Sequence, residues 1–156
     1  MGTEIERKFL VAGDGWRTQV SSRRFIRQGY IAVGPPTAIR VRIVDQTATL
    51  NIKNSTHDIE RTQFEYPIPL AHALEMIEHL CVGTPIEKTR HEVPNGKCVW
   101  EIDVFHGLNH GLVVAELEIP TRTTAFEPPD WLGREISSDP RYLNTYLAVT
   151  PYTLWK

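Results

Sequence analysis

Met1-Gly2-Thr3-Glu4-Ile5-Glu6-Arg7-Lys8 opens the chain, and its alternation decides the fold. Glu4, Glu6 and Lys8 alternate with Ile5, Arg7 and Phe9. Successive side chains of a β-strand point to opposite faces, so the three charged residues share one face, with Cα atoms ~7 Å apart at a rise of ~3.3 Å per residue. Ile5, Phe9 and Val11 fall on the other face. Two carboxylates and an ammonium on one face, backed by an apolar one, suit the wall of a site that takes a cation and an anion together.

The same alternation recurs along the chain. Residues 24–31 are strand-like, and residues 38–44 place Arg40 and Arg42 opposite Ile39, Val41 and Ile43. Asn51 and Lys53 oppose Leu50 and Ile52, and Gln63 and Glu65 oppose Phe64 and Tyr66. Lys88 and Arg90 share a face, as do Glu101 and Asp103, then Glu116 and Glu118. This makes about eight strands of period two. Asp45-Gln46, Pro94-Asn95-Gly96-Lys97 and Asn109-His110-Gly111 carry turn chemistry between them. Helices are few. Leu70, Ala73, Leu74, Ile77 and Leu80 have amphipathic spacing, with Gly83 beyond them as a stop. Asp139-Pro140 reads as an N-cap and first-turn proline, and predicts a helix over residues 141–149.

A single strand with a polar face is ordinarily half-exposed to water. Here acidic and basic pairs are segregated by strand, and the opposite faces are strongly apolar. One sheet closed on itself and covered outside by helices satisfies both. The expected fold is therefore α+β but mainly β: a closed eight-stranded antiparallel barrel with a few covering helices, in one domain spanning residues 1–156. Eight strands enclose room for one small ligand. Buried charges are costly unless paired, so a charge-lined barrel should bind charge. Lys8, Arg40, Arg42, Lys53, Lys88 and Arg90 suit a polyanion, and the carboxylates suit hard divalent cations such as Mg²⁺ or Mn²⁺.

The bulk numbers fit this reading. With 156 residues the chain can build a core, and 41% hydrophobic and 23% charged residues with a net charge of −2 give no general pull toward nucleic acid or an anionic membrane. Cys81 and Cys98 form no CxxC motif, and two reduced thiols are expected. No apolar signal segment or membrane-length run is evident, so the expected location is cytoplasmic. His106 and His110 are four apart, but Gly107 and Gly111 argue for a loop rather than a zinc-binding helix face.

Glu4-Ile5-Glu6-Arg7-Lys8-Phe9, followed in order by Arg40-x-Arg42, Lys53, Glu65, Lys88-x-Arg90, Asp103 and Glu116-x-Glu118, resembles the CYTH superfamily, the triphosphate tunnel metalloenzymes, over essentially the whole chain. Gln28-Gly29-Tyr30 and Arg141-Tyr142-x-Asn144 look like its short bacterial members, which are inorganic triphosphatases. The resemblance implies metal-dependent hydrolysis of tripolyphosphate to pyrophosphate and phosphate. Relatives acting on thiamine triphosphate, RNA ends or ATP keep an organic triphosphate open as substrate, and a non-catalytic polyphosphate- or nucleotide-binding module is the other alternative. One position departs from the pattern: many members carry Glu-x-Glu where this chain has Gln63-Phe64-Glu65.

On this reading Lys8, Arg40, Arg42, Lys53, Lys88 and Arg90 bind the phosphates, and Lys8 and Lys88 are the catalytic candidates. Glu4, Glu6, Glu116 and Glu118 hold one Mg²⁺ or Mn²⁺, while Asp103 and Glu65 hold a second ion or orient its water. The partner is a small-molecule triphosphate, not nucleic acid or membrane, and the protein is a monomer or homodimer. The C-terminal helix is expected to close one end of the tunnel.

Overall fold

β1 (Gly2–Val11) is the seam of one antiparallel sheet in the computed structural model, which describes residues 2–54 and 59–155. The sheet continues through β2 (Ser22–Ala32), β3 (Thr37–Val44), β4 (Thr47–Asn54), β5 (Glu60–Ile68), β6 (Val82–Asn95), β7 (Cys98–Phe105), β8 (Val113–Glu118) and β9 (Leu132–Glu135). Its order is β5-β4-β3-β2-β6-β7-β8-β1-β9, and an added β5–β1 pairing closes the first eight strands into a barrel. One edge of β1 pairs with β8. On the other edge, residues 2–5 pair with residues 60–63 of β5, and beyond them Phe9 and Val11 pair with β9. The short β9 lies outside the ring and covers the edge that β5 leaves. Arg7 fastens it, donating to both carboxylate oxygens of Glu135 at 2.9 and 2.7 Å.

The hairpins follow their turn residues. Asp45, at the two-residue β3–β4 turn, adopts a φ of 55°, which Asp tolerates better than most residues. The outward faces supply most of the core. Phe9, Trp100, Ile102, Ala115 and Leu117 pack with Trp16 and Trp131 on one flank. The Trp100 ring meets Phe9, Phe126 and Trp131 edge-on at 5.4–5.6 Å between centroids, a favourable aromatic arrangement. On the opposite flank α1 (Leu70–His79) lays Ala73 and Ile77 against Val41 and Ala48. No helix among the described residues is long and apolar enough to cross a membrane.

The third core cluster lies inside the barrel. Leu10, Tyr30, Ile86, Phe105 and Val114 each stand two residues from an inward polar or charged side chain (Lys8, Gln28, Lys88, Asp103 and Glu116) and so point inward too. They fill one end, where Tyr142, Leu147 and Ala148 pack against them. The C-terminal segment thus plugs that end of the barrel. The expected helix over residues 141–149 is broken: a 3-10 turn covers Pro140–Tyr142, Leu143 is extended, and α2 runs Asn144–Val149. Asp139 caps the first turn as its sequence predicts, accepting from the Arg141 backbone N–H. The break lets Asn144 face the barrel interior. Gly83 is not a helix stop. It lies in β6 with φ +66°, and any side chain there would overlap the Ala148 carbonyl, so its role is to let α2 approach the barrel.

Candidate active site

Period-two alternation brings the charged residues of seven strands into one cavity of about 680 Å³. That is the size of a small-ligand site. Of the residues expected from sequence, Lys8, Arg40, Arg42, Lys53, Lys88, Arg90, Glu4, Glu6, Glu65, Glu116 and Glu118 line it. Asp103 does not. It points inward but is fully buried under two cations, accepting from Lys88 Nζ at 2.7 Å and from Arg90 Nε and Nη2 at 2.8 and 2.9 Å. Burial alone would raise its pKa, but Arg90 and Lys88 outweigh that and hold it well below the usual carboxylate range. Asp103 is thus the anchor of two cations, with no oxygen turned to the cavity.

Glu101, two residues before Asp103 on the same strand face, instead joins Glu6 and Glu116, two of the four carboxylates expected to hold the first ion. Carboxylate oxygens of Glu6, Glu101 and Glu116 all lie within 4.8 Å of one another. The register produces this crowding. Glu6 stands opposite Glu118, and Glu116 opposite both Lys8 and Glu101. Like charges directly opposite across a sheet destabilise it. Lys8 Nζ lies 3.6 Å and Arg90 Nη2 2.9 Å from Glu116, and Arg90 Nη1 lies 3.4 Å from Glu101, so two cations face three carboxylates. Glu116 accordingly titrates low, at about 2: burial raises it, but Lys8 and Arg90 outweigh burial. Burial and then the Glu116 charge push Glu6 up to about 7. A site that depresses one carboxylate and leaves its neighbour half-protonated at neutral pH has room for added positive charge. Its donors are all oxygens, which suits a hard divalent cation.

The facing wall, β3 and β4 with β2, is the reverse. Arg40 is buried, and its Nε has no hydrogen-bond partner. Arg42 Nε donates to the Gln28 side-chain oxygen at 2.8 Å, a neutral partner. Burial first, then Arg40 and Arg90, lower the Arg42 pKa to about 9. Lys53 lies 3.4 Å from Glu4, and burial, then Arg40, bring its pKa down to about 8. An orphaned buried guanidinium nitrogen is costly. An anion with several acceptor oxygens would relieve it, and the guanidinium fork matches a phosphate group.

Gln63 is not idle. Its Nε2 donates to Glu4 at 2.7 Å, and its oxygen accepts from Asn51 Nδ2 at 3.1 Å. Asn51 also donates to Glu65 at 3.1 Å. Together with Lys53 this engages Glu4 apart from the Glu6–Glu101–Glu116 group. Sequence reasoning named Gln28 and Asn144, which join Arg42 to Lys88, only within motifs, and gave no site role to them or to Glu101. The signal for Glu101 is its place on the Asp103 face; the contact of Asn144 depends on a helix break that no local pattern announces.

A CYTH domain model matches residues 2–146. The chain is 42% identical to an inorganic triphosphatase of Acetivibrio thermocellus, over 100% of this chain and 99% of that one. It is 36% identical to an inorganic triphosphatase of Nitrosomonas europaea, over 95% of this chain and 98% of the relative. The crystal structure of an inorganic triphosphatase superposes with a TM-score of 0.68 at 33% identity, covering 96% of each chain. With its ring of charged strands and its match along nearly the whole length, this chain belongs to the CYTH domain family.

Proposed function

We propose that the protein is an inorganic triphosphatase, hydrolysing tripolyphosphate to pyrophosphate and phosphate inside the barrel with a divalent cation, Mg²⁺ or Mn²⁺. The observation that carries this is a cavity lined on one wall by Arg40, whose buried Nε has no partner, and on the other by three crowded carboxylates. Such a cavity suits a polyanion and a cation bound together. Close relatives named as inorganic triphosphatases support the same reading.

Arg40, Arg42 and Lys53 bind and orient the phosphate chain along the β3–β4 wall. Lys88 and Arg90, fixed by Asp103, present positive charge from β6. Phosphoryl transfer asks mainly for such positioning and charge neutralisation. Glu6, Glu101 and Glu116 would hold the cation, with Glu4 and Glu118 at their margins. When bound, it neutralises phosphate oxygens and lowers the pKa of coordinated water. Lys8, beside Glu116, stands where it can orient the attacking water or steady developing charge. The apolar plug formed with α2 excludes bulk water from the deep end. The working unit is one tunnel domain over residues 1–156, and its two unpaired thiols, Cys81 and Cys98, suit a reducing cytoplasm.

The test is phosphate release from tripolyphosphate, ATP, thiamine triphosphate and pyrophosphate, each with Mg²⁺, Mn²⁺ or EDTA. Release from tripolyphosphate that requires a divalent cation and exceeds release from the organic triphosphates is the expected result. Preference for ATP or thiamine triphosphate would replace the substrate, and metal-tolerant binding without turnover would leave a binding module.

A further inference from the structure

Two cations that flank the deep end of the cavity are joined by neutral amides rather than by a carboxylate. Arg42 Nε donates to Gln28 Oε1 at 2.8 Å, Gln28 Nε2 donates to Asn144 Oδ1 at 2.9 Å, and Lys88 Nζ donates to the same Oδ1 at 3.1 Å. The orientation of both amides follows from the ends of this chain. Arginine and lysine only donate, so each must face an amide oxygen, and the Gln28 nitrogen is then left to meet the Asn144 oxygen. Gln28 and Lys88 are buried to 0% and 1% exposure, so neither exchanges these partners for water. The three bonds cross from β3 through β2 to α2 and back to β6. They are the polar contacts that fix the start of α2 over the deep end of the barrel.

We infer that Gln28 and Asn144 are positioning residues for the substrate: they hold Arg42 and Lys88 in place without adding negative charge, so that Arg42 stays uncompensated and Lys88 is offset only by Asp103, which it shares with Arg90. This inference rests on the triphosphatase reading and deepens it. A carboxylate at position 144 would keep both acceptor contacts and meet Lys88 more strongly. On stability alone it would be the better residue there. Asp103 already shows the other arrangement, a carboxylate taking Lys88 and Arg90 together. A second carboxylate at position 144 would leave Lys88 fully compensated and set a like charge in the path of the phosphates. Neutral amides give geometry without that loss of charge.

The inference makes stability and binding move in opposite directions. Asn144→Asp retains the acceptor that Lys88 and Gln28 use, so its thermal midpoint should match or exceed that of the unchanged protein. Its affinity for tripolyphosphate, measured calorimetrically in EDTA so that no cation intervenes, should fall by about tenfold or more, the scale of a repulsive charge close to a bound anion. Asn144→Ala loses both bonds but adds no charge, so it should be less stable than Asn144→Asp yet bind tripolyphosphate more tightly. In turnover, Asn144→Asp should raise KM more than it lowers kcat. A purely structural amide predicts the opposite order, with Asn144→Asp binding at least as well as Asn144→Ala, and that order would overturn the inference. If Asn144→Asp does not fold, Gln28→Glu against Gln28→Leu poses the affinity question at Arg42: Gln28→Glu should bind tripolyphosphate more weakly than Gln28→Leu, and the reverse order would overturn the inference. Absence of tripolyphosphate binding by the unchanged protein would instead overturn the triphosphatase reading itself.

Discussion

The two long walls of the barrel hold the same kinds of charge in opposite states. On the β6–β7–β8–β1 wall Lys8, Lys88 and Arg90 are each within ion-pair distance of Glu116 or Asp103, and carboxylates are in excess. On the β3–β4 wall Arg40 and Arg42 have no carboxylate partner among the described residues. The difference separates two uses of a buried charge. A compensated cation can steady the barrel while still lining the cavity, whereas an uncompensated one is retained at a cost to stability and answers only to a ligand. The first wall is short of positive charge and the second of negative, so a cation and an anion entering together satisfy both.

Mutations should split stability from activity according to wall. The largest effect is expected from Asp103→Asn, which strands Lys88 and Arg90 without their shared counter-charge. Removing one partner of a buried pair costs about 3–5 kcal/mol, to be read from denaturant unfolding; a loss of activity with unchanged stability would show that Asp103 serves the ligand rather than the wall. Arg40→Met should do the reverse. It removes an unpaired buried cation, so the thermal midpoint should hold or rise, while kcat/KM for tripolyphosphate drops by about 10²–10³, as for loss of one transition-state donor. Unimpaired turnover would refute the assignment of Arg40 to the phosphate wall.

Smaller effects sharpen the picture on the acidic side. Folding raises the Glu6 pKa from 4.5 to about 7. Between those values the folded metal-free protein binds a proton that the unfolded chain does not, so this group's contribution to stability falls as pH rises from 4.5 to 7 and is level above. A divalent cation relieves the same strain only when Glu6 is ionised. The rise in thermal midpoint on adding Mg²⁺ should therefore be larger at pH 8 than at pH 5.5, and Glu6→Gln should flatten the difference; a pH-independent rise in the unchanged protein would remove Glu6 from the cation site. Least of all, Gln63→Glu should lower stability by about 1 kcal/mol, since it exchanges a hydrogen bond to Glu4 for a like-charge pair. It should also lower the Mg²⁺ concentration needed for half-maximal activity, and a higher requirement would mean that Glu4 and position 63 act on the phosphates instead.

Much of this was legible in the chain because strand parity is a local property. Glu4, Arg40, Lys88 and Glu116 each declare their face through two or three neighbours. What parity does not contain is who meets whom once the ring closes. Glu101 and Asp103 share a face, yet one faces the cavity and the other lies under two cations, because β6 sets Arg90 directly opposite Asp103. The β9 pairing was invisible for a similar reason: Leu-Gly-Arg-Glu has no alternation, and only the free edge of β1 makes it a strand. Asn144 reaches Lys88 through the extended Leu143, and Gly83 makes room for α2; both depend on packing between segments some sixty residues apart.

The seam at β1 has a consequence for how the protein is made. Of the barrel strands β1 leaves the ribosome before the others, but its partners are β5 and, more than a hundred residues later, β8. At about 5–20 residues per second, it waits on the order of ten seconds with both edges bare. An unpaired strand edge of this kind invites pairing with other chains. Glu4, Glu6 and Lys8 keep that waiting strand charged, so residues that later form the wall of the cavity also guard the nascent chain against aggregation.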